Sequence, residues 1–141
     1  MKGTSKLTYD ERAFNFRLPN INAALGYIQL KDIYKTLEKK RKIFRIYKSC
    51  LSNEKEFEIY EEKENRKSNY WVNFLILKDL KKEKINTIMK FFLRNKIEVR
   101  PGWTSMTKIS FLKRYPRMYC PIAENAEKII LNIPSGPQLL K

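Results

Sequence analysis

Leu30, Ile33, Leu37, Phe44, Tyr47 and Leu51 recur at intervals of 3, 4, 7, 3 and 4, with Lys40 standing in the one gap. That spacing lines up one face of an α-helix. A strand turns its side chains over at every residue and cannot keep these six on one side. The chain is therefore committed to a long helix after Pro19 that lays an apolar stripe on something else. Asn20 or Asn22 can cap its start. The Lys and Arg run from Lys39 to Arg45 suits its later turns, where the helix dipole favours positive charge. A stripe of several turns reads as core packing rather than as a cofactor groove.

Beyond the helix the pattern alternates in type. "NEKEFEIYEEKENRKS" is charged and loop-like around a short strand, Phe57 to Tyr60. "NYWVNFLIL", Asn69 to Leu77, is aromatic and β-branched and reads as a strand buried on at least one face. "KKEKINTIMKFFLRNK" sets Ile85, Ile88, Met89, Phe92 and Leu93 at helical spacing, and "IEVRPG" then resumes an extended pattern closed by Pro101 and Gly102. "WTSMTKISFLKRYPRM" has no clear period. "CPIAENAEKIILNIPSGP" reads as a helix with Pro121 in its first turn, a short strand and a Pro/Gly stop. No internal repeat is evident. The expected fold class is α/β, of the α+β kind: a long N-terminal helix and a small antiparallel or mixed sheet covered on one face by helices.

A chain of 141 residues is a single-domain length. With 43% apolar and 13% aromatic residues it is too hydrophobic to be disordered, although 32% of it is charged. It shows no apolar run near the length of a membrane span and no charged-then-apolar leader after Met1, so the expected compartment is the cytoplasm, with no membrane partner. Cys50 and Cys120 lie 70 residues apart without a CxxC or neighbouring ligands, which leaves two buried or free thiols and no metal site. Histidine is absent. Ser-His and Cys-His nucleophile pairs and His-ligated zinc are excluded with it.

Thirty Lys and Arg against fifteen Asp and Glu give a net charge of +15. Such a field attracts polyanions over a Debye length of about 8 to 10 Å. The basic residues, however, are spread through "KTLEKKRK", "LKDLKKEK" and "FLKRYPR", mixed with acids, and no RNP motif, GxxG loop or zinc finger accompanies them. Solvated surface charge is the main reading, with attraction for small phosphorylated ligands beside it. A small basic protein binding nucleic acid or another polyanion is the alternative function.

"FNFRLPNINAALGYIQL", near the start, resembles the motif GYNYRLPNLNAALGLAQL of the DegT/DnrJ/EryC1/StrS aminotransferases. The resemblance runs on in order through "YWVNFLIL", "NKIEVRPGW" and "CPIAENAEKIILNIPSGP", and covers residues 9 to 139. These enzymes use pyridoxal 5′-phosphate to aminate nucleotide-linked keto sugars for surface polysaccharides and glycans. They have fold type I, with a large cofactor-binding domain followed by a small C-terminal domain. The chain is similar to that second part alone, with residues 1–19 as a polar lead and interface turn and 20–141 as the small domain. The Trp in "RPGW" is similar to the branch acting on precursors of legionaminic-type sugars.

The resemblance implies a division of labour. The Schiff-base lysine belongs to the large domain, so no catalytic residue is expected here, and pyridoxal phosphate is implied as cofactor without being bound by this chain alone. The expected partners are a large cofactor-binding domain or homologous subunit in a dimer, a nucleotide-sugar substrate, and glutamate as amino donor. Asn15 matches the residue that contacts the cofactor phosphate of the other subunit; stabilising a turn is its plainer reading. Arg17 stands on the phosphate or sugar side, with packing or an ion pair as the alternative. Arg100 and Trp103 match the segment bordering the substrate. Arg100 can meet a diphosphate bidentately or make a structural ion pair, and Trp103 can pack on a sugar or base or simply be buried. The chain departs from the family pattern at Tyr9, often His, at Ala13, often Gly, and at "RPGWTSMT", where many members carry RPLFYPLH.

Overall fold

The computed structural model describes residues 17–78 and 82–140. Helix α1 (Asn20–Lys31) leads into α2 (Ile33–Cys50), and strands β1 (Phe57–Ile59) and β2 (Asn73–Leu77) come next. Helix α3 (Lys82–Arg94), the two-residue strand β3 (Arg100–Pro101), two 3₁₀ turns, α4 (Pro121–Ile129) and β4 (Ile130–Ile133) complete the order, with a last 3₁₀ turn at Pro137–Leu139.

The sheet runs β1-β2-β4-β3 and every pairing is antiparallel. Its register sorts the side chains. Phe57 lies opposite Leu77, Ile59 opposite Leu75, and Leu75 opposite Leu131, so these residues share one face. That face is the core: Ile59, Leu75, Leu77, Leu131 and Ile133 are buried there with Phe44 of α2 and Ile85 of α3. Leu77 is 1% and Leu131 0% exposed. Burying each stabilises the fold by roughly 1.5–3 kcal/mol. The alternate residues face away from the core: Phe74 and Ile76 on β2 are only half-buried, and Arg100 on β3 is exposed.

The N-terminal stripe is two helices rather than one. The chain breaks at Asp32 (φ −110°, ψ 15°), whose N–H turns back to the Gln29 and Leu30 carbonyls. Its carboxylate pairs with Lys35 at 3.1 Å instead of capping α2. Neither Asn20 nor Asn22 caps α1; the cap position is Pro19, which offers no side-chain hydrogen bond. Only the later half of the stripe, Phe44, Tyr47 and Leu51, packs on the sheet. Leu30 is 65% exposed. The strand expected over 69–77 starts at Asn73, because the preceding residues form a separate loop tied to α2. Both cysteines are free, Cys50 exposed and Cys120 half-buried.

Candidate functional site

The open side of the sheet carries an aromatic surface built from two loops. The first loop leaves β3. Gly102 donates its N–H to the Ile130 carbonyl at 2.8 Å and lies so close to α4 that a Cβ there would sit 2.9 Å from the Glu127 carbonyl oxygen. Beyond it, α4 holds the chain with two carboxylates. Glu127 accepts from the Ser105 N–H at 3.0 Å and from Lys108 Nζ at 2.8 Å, and Glu124 accepts from Thr107 Oγ1 at 2.7 Å. Thr107 Oγ1 also lies 2.9 Å from Ser105 Oγ. Trp103 stands between these anchors, and its ring is 50% exposed.

The second loop precedes β2. Tyr70 has φ 45°, a left-handed conformation that costs a non-glycine residue about 1–3 kcal/mol. Neighbouring contacts offset that cost. The Tyr70 ring stacks on Phe44 with centroids 4.3 Å apart, and the Arg41 guanidinium lies 5.4 Å above it. The reversed backbone sends Tyr70 into the core and Trp71 outward. The Trp71 carbonyl is pinned by Ser135 Oγ at 2.5 Å and Lys40 Nζ at 3.3 Å. Lys40 Nζ also donates to the Ser135 and Tyr70 carbonyls, at 3.0 and 3.5 Å. The stripe's one gap thus holds a cation that fastens two loops.

The loops meet at their tryptophans. Trp71 and Trp103 stack with centroids 5.8 Å apart and planes inclined by 26°, and Trp103 sits edge-on to Phe74 at 6.4 Å. Tyr60 extends the surface on the far side of Phe74, again edge-on at 6.4 Å.

Charge around this surface is ordered. Arg41 and Glu62 lie behind the second loop, and the Arg41 hydrogen bond, with a second from the Ser68 N–H, holds the Glu62 carboxyl below its ordinary range. Burial raises the Tyr70 and Tyr47 hydroxyls and lowers the Lys40 ammonium.

Of the sequence candidates, the structure brings Arg100 and Trp103 to the same side of the sheet. Arg100 makes the ion pair that was one of its two readings: Nη2 and Nε reach Glu98 Oε1 at 2.8 and 3.1 Å. Both partners are about two-thirds exposed, and such pairs contribute roughly 0–1 kcal/mol, so Glu98 holds Arg100 only weakly. Trp103 is not core. Arg17 is exposed ahead of α1, on a different element. Asn15 lies outside the described residues. Sequence reasoning missed Trp71, Glu124 and Glu127. Trp71 lies inside the segment read as a strand, and the spacing of Glu124 and Glu127 along α4 carries no signal of the loop they hold.

Pyridoxal phosphate needs an amine able to reach its aldehyde, an acid for its ring nitrogen and donors for its phosphate. Among the described lysines, the one whose amine is perturbed by burial does not offer it. Lys40, whose pKa burial lowers, is engaged by three carbonyls. Among the described residues no cluster of three or more metal-ligating side chains occurs, and no helix is long and apolar enough to cross a membrane.

A four-stranded antiparallel sheet with helices on one face, entered through an extended helical arm, is the architecture of the small C-terminal domain of fold type I transferases. The chain belongs to the DegT/DnrJ/EryC1/StrS aminotransferase family, whose family model matches residues 1–141. It is 27% identical over 132 residues to a GDP-perosamine synthase from Vibrio cholerae, covering 93% of this chain and 36% of that protein. PseC of Helicobacter pylori, an aminotransferase involved in pseudoaminic acid biosynthesis, superposes with a TM-score of 0.77 at 17% identity, over 92% of this chain and 35% of that one. An E. coli GDP-4-keto-6-deoxy-D-mannose-3-dehydratase with bound hydrated PLP gives 0.62 at 17% identity, over 95% and 38%. The chain thus spans about a third of the length of the relatives it matches. Pyridoxal phosphate is the cofactor the family implies.

Proposed function

We propose that this chain is the C-terminal portion of a pyridoxal-phosphate-dependent nucleotide-sugar aminotransferase and is inactive by itself. Residues 20–141 are its small domain and residues 1–19 its lead and interface turn. A large domain supplies the lysine that anchors the coenzyme, and the coenzyme, when bound, supplies the electron sink for moving an amino group from glutamate to a keto sugar. This chain contributes a wall. Asn15 is assigned to the cofactor phosphate by its match to the family motif, Arg17 to the phosphate or sugar side, Arg100 to the nucleotide diphosphate and Trp103 to a sugar face or base.

The observation that carries this reading is α1. Its sequence, NINAALGYIQLK, is apolar on several sides, yet none of its residues is buried. Ile21, Leu25 and Ile28 are 53–70% exposed, as are Tyr27 and Leu30 at 65–66%. A helix that is hydrophobic all round belongs inside a larger protein. A large domain against α1 is the cover that family membership offers, and the one-third coverage of relatives leaves room for it.

The test is association. The isolated chain, mixed with the large domain of a family relative, elutes as a complex, and Ile21→Lys with Ile28→Lys abolishes the shift. Separate elution of the unmutated chain contradicts the proposal.

A further inference from the structure

Tyr60, Phe74, Asn132 and Arg100 form a row across the sheet. Phe74 and Arg100 are both register partners of Asn132, and the Tyr60 N–H bonds the Phe74 carbonyl at 2.9 Å. Laterally paired residues project to the same side, so all four share the face opposite the core. The aromatic stack rises from Phe74. Phe74 is half-buried, Trp103 is 50% exposed and Trp71 64% exposed, so Trp71 is the outermost ring. Its outer face is presented to solvent by a backbone fixed at both sides, Tyr70 by its left-handed turn and the Trp71 carbonyl by Lys40 and Ser135.

We propose that Trp71 is a base-stacking residue: it receives the planar base of a nucleoside diphosphate on its outer face while Arg100 takes the diphosphate. This rests on the reading given under Proposed function for the class of ligand, and adds the residue that meets the base. Three observations carry it. Two stacked indoles at 5.8 Å leave no room for a ring between them, so a further planar group adds at the end of the column. Every nucleobase offers a π-face, and such stacking is strong without hydrogen-bond readout. Arg100 lies two strand spacings, about 10 Å, along the row from Phe74, the ring at the foot of the column, so its guanidinium belongs to the same face as the stack. The exposed Glu98–Arg100 pair and the net charge of +15 leave the guanidinium open to capture by a dianion.

Trp71 and Trp103 are the only tryptophans in the sequence, so intrinsic tryptophan emission of the whole chain reports on this surface alone. The experiment titrates the 141-residue chain with GDP and, separately, with inorganic pyrophosphate. Saturable quenching by GDP, with pyrophosphate leaving the emission unchanged, is the expected result. Trp71→Leu, followed through Trp103, weakens GDP binding about tenfold. Arg100→Ala weakens it by at least about fivefold, with less effect as salt rises. Trp71 is largely exposed, and an unchanged melting temperature for Trp71→Leu keeps loss of folding apart from loss of stacking. No saturable quenching by millimolar GDP overturns the proposal. So does equal affinity in Trp71→Leu. An emission shift caused only by adding the large domain shows the surface to be a protein contact and also overturns it. Because GDP is added to this chain alone, a negative result leaves the aminotransferase reading standing, and failed association with a large domain leaves a positive titration intact.

Discussion

Arg41 on α2 grips Glu62, 21 residues on, with two parallel hydrogen bonds, Nη1 to Oε1 at 2.7 Å and Nη2 to Oε2 at 3.0 Å. The same guanidinium donates to the Ser68 carbonyl at 2.8 Å, and Glu62 accepts the Ser68 N–H in return. One ion pair therefore closes the loop that delivers Tyr70 and Trp71. Arg41→Lys keeps the charge but loses the planar fork, and lowers the melting temperature. It also reduces the near-ultraviolet dichroism of the aromatic surface. An unchanged aromatic spectrum contradicts the link between this pair and the loop.

The pair also sets an acid limit. Glu62 has a folded pKa below its ordinary value, chiefly through Arg41. Its stabilisation is then fully present above the ordinary carboxylate range, about pH 4.3, and is lost as pH falls through the lowered pKa. Melting curves between about pH 7 and pH 3 should fall more steeply for the natural chain than for Glu62→Gln. Equal slopes would remove Glu62 from the account.

At the centre of the sheet, Leu131 is wholly buried and lies between Leu75 and Pro101. Leu131→Ala costs about 2–5 kcal/mol in urea denaturation. Asn73 has the opposite sign. It is 2% exposed, and neither of its side-chain polar atoms has a hydrogen-bond partner. Asn73→Leu removes that penalty with the same side-chain branching, and where the site accommodates the larger methyl groups it raises stability by about 1 kcal/mol. Destabilisation by Asn73→Leu would show that its amide is satisfied in solution.

Gly102 is a position where bulk, not backbone conformation, sets the requirement. A Cβ there meets backbone atoms of Glu127, the carbonyl oxygen at 2.9 Å and Cα at 3.0 Å. Gly102→Ala destabilises by about 1–3 kcal/mol and perturbs Trp103 emission. At Gly136 the neighbour is the flexible end of Gln138, and Gly136→Ala is near neutral. Similar losses at the two sites would contradict the contact.

Much of the fold was legible in the sequence because periodicity reports burial. The helix and strand order, Pro121 at the start of α4 and the 57–60 strand all derive from local pattern. The break at Asp32 was not legible, since the stripe's spacing continues across it. Of the stripe only Leu30 lies on α1, and its apolar character does not say which surface covers it. Of the aromatic and charged surface on the open side of the sheet, only Arg100 and Trp103 stood out in the sequence. Trp71 is set by a left-handed Tyr70 that rests on Phe44 and Arg41, contacts 26 and 29 residues apart in sequence. Such long-range support leaves no local signature.

The central claim is that this chain completes a site whose coenzyme is anchored elsewhere. The direct measurement is amino transfer from glutamate to a nucleotide-linked keto sugar, in the presence of pyridoxal phosphate, by the purified chain, by a separately expressed large domain of the family, and by the two together. Transfer only in the mixture, lost again in Ile21→Lys with Ile28→Lys, is the predicted result. Transfer by the chain alone would contradict it.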